Sequence, residues 1–188
     1  PSSDEYVVRS PAGMPGRLGS GPALCPEPLI WSIAGTDSGG GAGLAADQRA
    51  AEAFGVHLCP VVAAGTAQNS LAVTAVQPLP PETLEAQLAA LAADLPPRAI
   101  KLGLLGSAAN ARVVARWVDR LRAEHGPIPL VADPVLGATT GARFADAELR
   151  AAYRHELLPR ASAITPNQRE AAERAGCANA SVPELAAH

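Results

Sequence analysis

From Leu29 onward, short apolar runs alternate with stretches whose apolar residues recur at helical spacing. Leu29 to Ala34 reads as a buried strand, and the segment from about Ala42 to Phe54 as a helix ended by Gly55. A second strand is expected around Leu58 to Ala64 and an extended stretch at Ala72 to Val76. A helix then opens after Pro80-Pro81, with Leu84, Leu88 and Leu91 on one face. Ala99 to Leu104 reads as a strand, and the helix after it carries Val113, Val114, Trp117 and Leu121 as an apolar stripe. Ile128 to Ala132 is a further buried strand and Ala147 to Leu158 a further helix. Ala161 to Thr165 is a last strand, running into a helix from Asn167 to Ala175. Strands alternating with helices in this way predict an α/β fold, a mostly parallel sheet with helices on both faces.

The first 28 residues break the pattern. They hold Pro1, Pro11, Pro15, Pro22, Pro26 and Pro28 among scattered Gly and Ser, with neither periodicity, and are expected to be a flexible leader to a domain over 29–188. Met14 is the one methionine, so the natural start is expected there, or the sequence is an excerpt. At 188 residues, 48% of them hydrophobic, the chain can bury one sizeable core. A net charge of -3 and six aromatic residues give neither a basic surface for phosphate backbones nor a stacking platform, which argues against nucleic acid. No apolar run reaches the length of a membrane span and no signal peptide is visible, so a cytoplasmic protein is expected. Cys25, Cys59 and Cys177 are odd in number and widely spaced, which suits reduced thiols better than a disulfide framework or a zinc site.

In an open parallel sheet the ligand site lies at the carboxyl ends of the strands. This chain places its glycines and polar residues there: Gly35 to Gly43 after the first strand, Thr66-Ala67-Gln68-Asn69 after the second, and then Gly103 to Gly106, Asp133-Pro134-Val135 and Thr165-Pro166-Asn167. Each has a plainer reading. Glycine corners serve tight turns as readily as ligands, Asp47 in the following helix could be a solvated charge, and Gln68 could be a turn residue. The corner fits the dinucleotide pattern poorly, and no acidic residue ends the second strand to hold a ribose. Asp133 is more pointed, because a carboxylate ending a buried strand is costly without a metal or a donor. Asn167 and Glu170, one helical turn apart at a helix start, suit a hydrated magnesium ion and phosphate, although an acidic first turn is also common.

Five segments in order, "IAGTDSGGGAGLAAD" (Ile33 to Asp47), "TAQNS" (Thr66 to Ser70), "IKLGLLG" (Ile100 to Gly106), "VADPVLGATTGARF" (Val131 to Phe144) and "LLPRASAITPNQREA" (Leu157 to Ala171), resemble the hydroxymethylpyrimidine/phosphomethylpyrimidine kinases of thiamine biosynthesis, in the ribokinase-like superfamily. The likeness covers about Leu29 to Gly176. It implies MgATP-dependent phosphorylation of 4-amino-5-hydroxymethyl-2-methylpyrimidine and then of its monophosphate. Gln68 matches the family glutamine whose amide faces the ring nitrogen and exocyclic amine; Gly35 and Asp47 match other substrate contacts, and Leu104 and Val135 match apolar walls. Asp133 and Glu170 match positions that handle magnesium and its waters, and Asn167 a position near the phosphates.

The chain departs from the family in lacking the Gly-Thr-Gly-Cys or Gly-Thr-Gly-Asp motif that supplies the anion hole and catalytic base, so a ribokinase-like sheet incomplete at the C-terminus is expected, with no catalytic base identified. "TDSGGGAG" also lacks the Pro that many members carry after the Asp. Members commonly form dimers, which leaves a homodimer open. Two other readings stay open: a pyridoxine/pyridoxal kinase, against which Gln68 argues because a pyridine lacks the adjacent amine, and a non-catalytic pyrimidine-binding domain.

Overall fold

A computed structural model describes residues 28–135 and 145–165 of the chain. Among these residues six strands form one sheet: β1 (Leu29–Gly35), β2 (His57–Gln68), β3 (Val73–Pro78), β4 (Ala99–Leu102), β5 (Leu130–Ala132) and β6 (Ala163–Ile164). Their spatial order is β3-β2-β1-β4-β5-β6, with every neighbouring pair parallel except β2 and β3. Between them lie α1 (Gly43–Ala53), α2 (Pro81–Ala92), α3 (Ala108–His125) and α4 (Ala147–Ala152). The mostly parallel α/β sheet expected from the alternation of patterns is the one observed.

Local chemistry sets the element ends. Pro81 opens α2 where its missing N–H would be unpaired anyway. Ser107 caps α3 by accepting the Asn110 N–H, and Asp146 caps α4 by accepting the Leu149 N–H. Gly126, at φ 82°, terminates α3 in a conformation that side chains disfavour. The helix expected through Leu158 is α-helical only to Ala152, then widens into a π turn over Tyr153–Leu157 and tightens into a 3₁₀ turn over Leu158–Arg160. Pro159 has no N–H to continue the ladder, which ends the helix there.

One face of the sheet carries the main core. Trp31 and Ile33 of β1, Val61 of β2, Ile100 and Leu102 of β4 and Leu130 of β5 pack with Leu84 and Leu88 of α2, Val114 and Leu121 of α3, and Leu149 and Leu157. The Trp31 indole N–H donates to the Leu95 carbonyl at 2.9 Å, so its polar handle is satisfied within that core. Helix α1 lies against β1 and β2 and sends Asp47 to Ser32 and Lys101, which alternate with the core residues along their strands. The chain therefore turns outward in both directions from the β1/β4 seam, the place where such sheets open a ligand crevice.

Strand β2 runs farther than its apolar run suggests. Past Ala64 it leaves β1, through a register shift at Gly35, and continues to Gln68 paired only with β3. Gln68 thus sits within a strand of an antiparallel ribbon, opposite Val73, rather than in a loop following the strand. The antiparallel partner, supplied by the stretch expected at Ala72 to Val76, satisfies the backbone groups that a lone overhanging strand would leave unpaired.

Among the described residues no helix is long and apolar enough to cross a membrane.

Candidate functional site

The corner between β1 and α1 is organised by a residue whose role the sequence reading did not assign. The Asp37 carboxylate accepts the Gly39 N–H at 2.8 Å on Oδ1, and those of Gly41 at 2.9 Å and Ala42 at 2.8 Å on Oδ2. These are the N–H groups that a phosphate-binding loop would turn towards a ligand. Here an internal carboxylate occupies the nest, so the glycines shape the corner and do not present a free anion cradle. Gly43, at φ 56°, lies so close to the Gly35 carbonyl that a β-carbon there would overlap it; only glycine lets α1 begin this tightly behind the strand.

Ser38 fastens the corner to the end of β2. Its hydroxyl donates to the Gln68 carbonyl at 2.6 Å and accepts the Gln68 N–H at 2.8 Å. Thr66 adds a bond from its hydroxyl to the Thr36 carbonyl at 2.8 Å. The backbone of Gln68 is therefore held against the corner, while its side-chain amide makes no hydrogen bond to the described residues. On the other side of the corner Gly35 meets Leu104: a β-carbon on Gly35 would lie 3.1 Å from Leu104 Cδ2. Of the residues singled out in the sequence, Gly35 and Leu104 are thus in direct contact, and Gln68 is tied to the same corner through Ser38.

The Gly103 to Gly106 loop that carries Leu104 is pinned from three sides. Gly103 donates to the Ile33 carbonyl at 2.9 Å, and its own carbonyl accepts the Tyr153 hydroxyl at 2.8 Å. Asn110, fully buried, donates from Nδ2 to the carbonyls of Leu105 at 3.1 Å, Ala63 at 3.2 Å and Leu79 at 3.2 Å. One amide joins the loop, the middle of β2 and the chain leaving β3, at the cost of a buried Oδ1 without a hydrogen-bond partner among the described residues. A polar residue on the core-facing stripe of α3 was the available sequence signal for it.

Asp47 is paired and only partly exposed. Lys101 Nζ donates to its Oδ1 at 3.1 Å and its Oδ2 at 2.8 Å, and the buried Ser32 hydroxyl donates to Oδ2 at 2.6 Å. Ser32 and Lys101 stand side by side in the β1/β4 register, so adjacent strands present both donors to one helix residue. Lysine inside the apolar run "AIKLGLLG" was the sequence signal, since a charge in a buried strand needs a partner.

Asp133 follows β5, its backbone N–H donating to the Leu102 carbonyl at 3.0 Å. Burial pushes its carboxyl above the usual carboxylate range; Lys101 draws it down and Asp47 pushes it up. It makes no side-chain hydrogen bond to the described residues, and the nearby Lys101 ammonium bonds Asp47 instead. Val135 follows, with its N–H donating to the Asp133 carbonyl at 2.9 Å. Asn167 and Glu170 lie outside the described residues, as do residues 1–27 and 136–144, Cys25 and Cys177. Cys59 is a buried free thiol, its pKa raised by that burial. Among the described residues no group of three or more metal-ligating side chains forms.

Comparison with known proteins matches this geometry to a family. A model of the phosphomethylpyrimidine kinase family aligns with residues 37–187. The chain is 43% identical over 149 residues to a hydroxymethylpyrimidine/phosphomethylpyrimidine kinase of Synechococcus elongatus, covering 79% of this chain and 55% of that protein. It is 44% identical over 140 residues to the Bacillus subtilis protein of the same name, covering 74% and 50%. The chain thus spans about half the length of these relatives. A crystal structure of phosphomethylpyrimidine kinase from Clostridium difficile superposes with a TM-score of 0.73 at 33% identity, over 85% of this chain and 67% of that one. A pyridoxal kinase of Staphylococcus aureus, solved with AMP-PCP and pyridoxal, gives a TM-score of 0.70 at 26% identity, over 86% and 56%. With a family model spanning most of the chain and the same ribokinase-like arrangement of sheet and helices, this protein belongs to the phosphomethylpyrimidine kinase family.

Proposed function

We propose that this chain carries the substrate-binding part of a cytoplasmic kinase that transfers a phosphoryl group from ATP to 4-amino-5-hydroxymethyl-2-methylpyrimidine and to its monophosphate. The observation that carries the reading is the Gln68 side-chain amide, unpartnered among the described residues on a backbone that Ser38 holds at the glycine corner. A carboxamide offers one donor and one acceptor side by side, the complement of a ring nitrogen next to an exocyclic amine. Leu104, packed against Gly35 and held by the Asn110 and Tyr153 bonds to its loop, is suited to be an apolar wall for a flat ring, and Val135 a second one. The filled nest at Asp37 supports a site for the ring at this corner, with the nucleotide phosphates received elsewhere.

Asp133 fits a role in holding magnesium, because its poorly compensated carboxylate would be relieved by a cation, and a hydrated magnesium ion needs only one or two protein oxygens. Glu170 would act on the same ion through its waters, and Asn167 would lie near the phosphates. When bound, the ion would neutralise charge on the transferring phosphoryl group. Within this reading, Gly35 admits the ring, Asp47 accepts a substrate donor and Gln68 sets the ring's orientation. No residue is assigned as the base.

The pyridoxal complex of the Staphylococcus aureus kinase makes a vitamin B6 substrate the second reading. Calorimetric titration of the chain with the aminopyrimidine alcohol, with pyridoxine in parallel, separates the two. Saturable binding of the pyrimidine alone is the expected result; preference for pyridoxine moves the assignment to the B6 vitamers. Binding of neither by a sample folded by circular dichroism overturns both. Binding without ADP formation in the full gene product would leave a non-catalytic pyrimidine-binding domain.

A further inference from the structure

We propose that Lys101 is a specificity-determining residue: by neutralising Asp47 it lets one pocket accept both an uncharged pyrimidine alcohol and the anionic monophosphate made from it. The inference rests on the proposed function and concerns a residue that does not itself touch the substrate. Its starting point is the number of acceptor sites on Asp47. A carboxylate offers about four lone-pair sites. Lys101 takes one on each oxygen and Ser32 a second on Oδ2, which leaves Oδ1 with one site for a substrate donor.

The same contacts set the local charge. The side chains of Asp47 and Lys101 are only 21% and 28% exposed, so their interaction is less screened by water and salt than that of a surface pair. Bound together they are close to neutral. Without the ammonium, the Asp47 carboxylate would stand uncompensated in the pocket, with Asp133 adding a second negative charge nearby. A neutral alcohol would lose little from that change, whereas a phosphate dianion would meet repulsion from both carboxylates.

The backbone is shaped to admit the ammonium. A β-carbon on Gly103 would lie 2.9 Å from the Ala34 β-carbon and 3.1 Å from Lys101 Nζ, so the glycine keeps the β1/β4 seam beside the lysine head uncrowded. Lys101 is therefore a positioning residue for Asp47 and the source of the compensating charge.

The test compares the affinity of the chain for the pyrimidine alcohol with its affinity for the monophosphate, by calorimetry without nucleotide or metal. Lys101→Gln retains a donor for Asp47 while removing the charge, and is expected to weaken monophosphate binding about tenfold or more beyond any effect on the alcohol. That excess should shrink as salt rises. Lys101→Arg should keep the wild-type ratio. Asp47→Asn, which leaves the ammonium in excess, should move the ratio the opposite way, and this arm decides the matter if Lys101→Gln does not fold. Equal weakening of both ligands by Lys101→Gln, or an unchanged ratio in folded Lys101→Gln and Asp47→Asn, overturns the role of Lys101 while leaving the proposed function standing. Failure of the folded wild type to bind either pyrimidine overturns the proposed function and this inference with it.

Discussion

At the scale of single residues, the site depends on side chains that hold main chain in place. Gln68 and Asn110 carry the same amide group to opposite ends. The Gln68 amide has no partner among the described residues, and Gln68→Leu is expected to weaken pyrimidine binding by about 1 to 3 kcal/mol, the cost of leaving the bound ring's donor and acceptor unmatched. Stability should barely change, so calorimetry and a denaturation curve together separate a ligand-binding role from a structural one.

Asn110 is the reverse case. Its Nδ2 faces three carbonyls, so Asn110→Asp would set a carboxylate oxygen against them in a fully buried position. The expected loss is at least about 3 kcal/mol and exceeds that of Asn110→Ala, which removes the donor without adding a buried charge. Urea titration of the two variants checks the ranking; equal stabilities would remove Asn110 as the pin of the Leu104 loop.

At the scale of elements, the helices on the core face are tied at their outer surfaces by ion pairs. Arg160, at the end of the 3₁₀ turn, makes a two-pronged bond to Asp119 of α3, from Nε at 2.8 Å and Nη2 at 2.6 Å. The hydrogen bond from Arg160 holds the Asp119 carboxyl below its ordinary range. A carboxylate whose pKa is lower folded than unfolded adds stability above its unfolded pKa and loses it as pH falls through the folded value. The contribution is thus present at pH 7 and fades below about pH 4. Because Asp119 is more than half exposed, Asp119→Asn is expected to lower stability at pH 7 by no more than about 1 kcal/mol. Thermal melts of wild type and variant should converge in acid; a gap that persists below that window would mean the variant acts through packing.

The elements themselves were largely legible. The stripe at Val113, Val114, Trp117 and Leu121 is buried along α3, and Leu84 and Leu88 are buried in α2, because helical spacing alone decides which residues share a face. Less legible was the overrun of β2 to Gln68. The residues past Ala64 are small or polar, and what makes them a strand is the antiparallel partner they meet. The π turn at Tyr153–Leu157 likewise has no local signature. In it the Tyr153 hydroxyl reaches the Gly103 carbonyl, a contact made across 50 residues.

At the scale of the whole molecule, the seam between β1 and β4 is where the two halves of the sheet diverge, with Gly35, Leu104 and the Asp47–Lys101 pair beside it. Gly103 lies on that seam, and Gly103→Ala would push its new methyl into Ala34 and towards the Lys101 ammonium. The substitution is expected to cost about 1 to 3 kcal/mol of stability by overpacking and to weaken ligand binding through Leu104 and Asp47. The check is a paired melt and titration; unchanged behaviour in both would show that the seam can open without harm.

By itself the sequence determined the alternation of strands and helices, the glycine corner and the polar strand ends, because periodicity, caps and turn residues act over a few positions. It could therefore place Gly35 at the end of the first strand and Leu104, Asp133 and Val135 close to strand ends, whereas Gln68, expected in a loop, ends β2 itself. Only the tertiary structure decided what those residues meet. Lys101 reaches Asp47 across 54 positions, Asn110 reaches Ala63 across 47, and Ser38 reaches Gln68 across 30. Which donor meets which carboxylate, and which carboxamide is left without a partner among the described residues, depends on strand order and register. Those are set by how the whole core packs, and no local stretch of residues carries them.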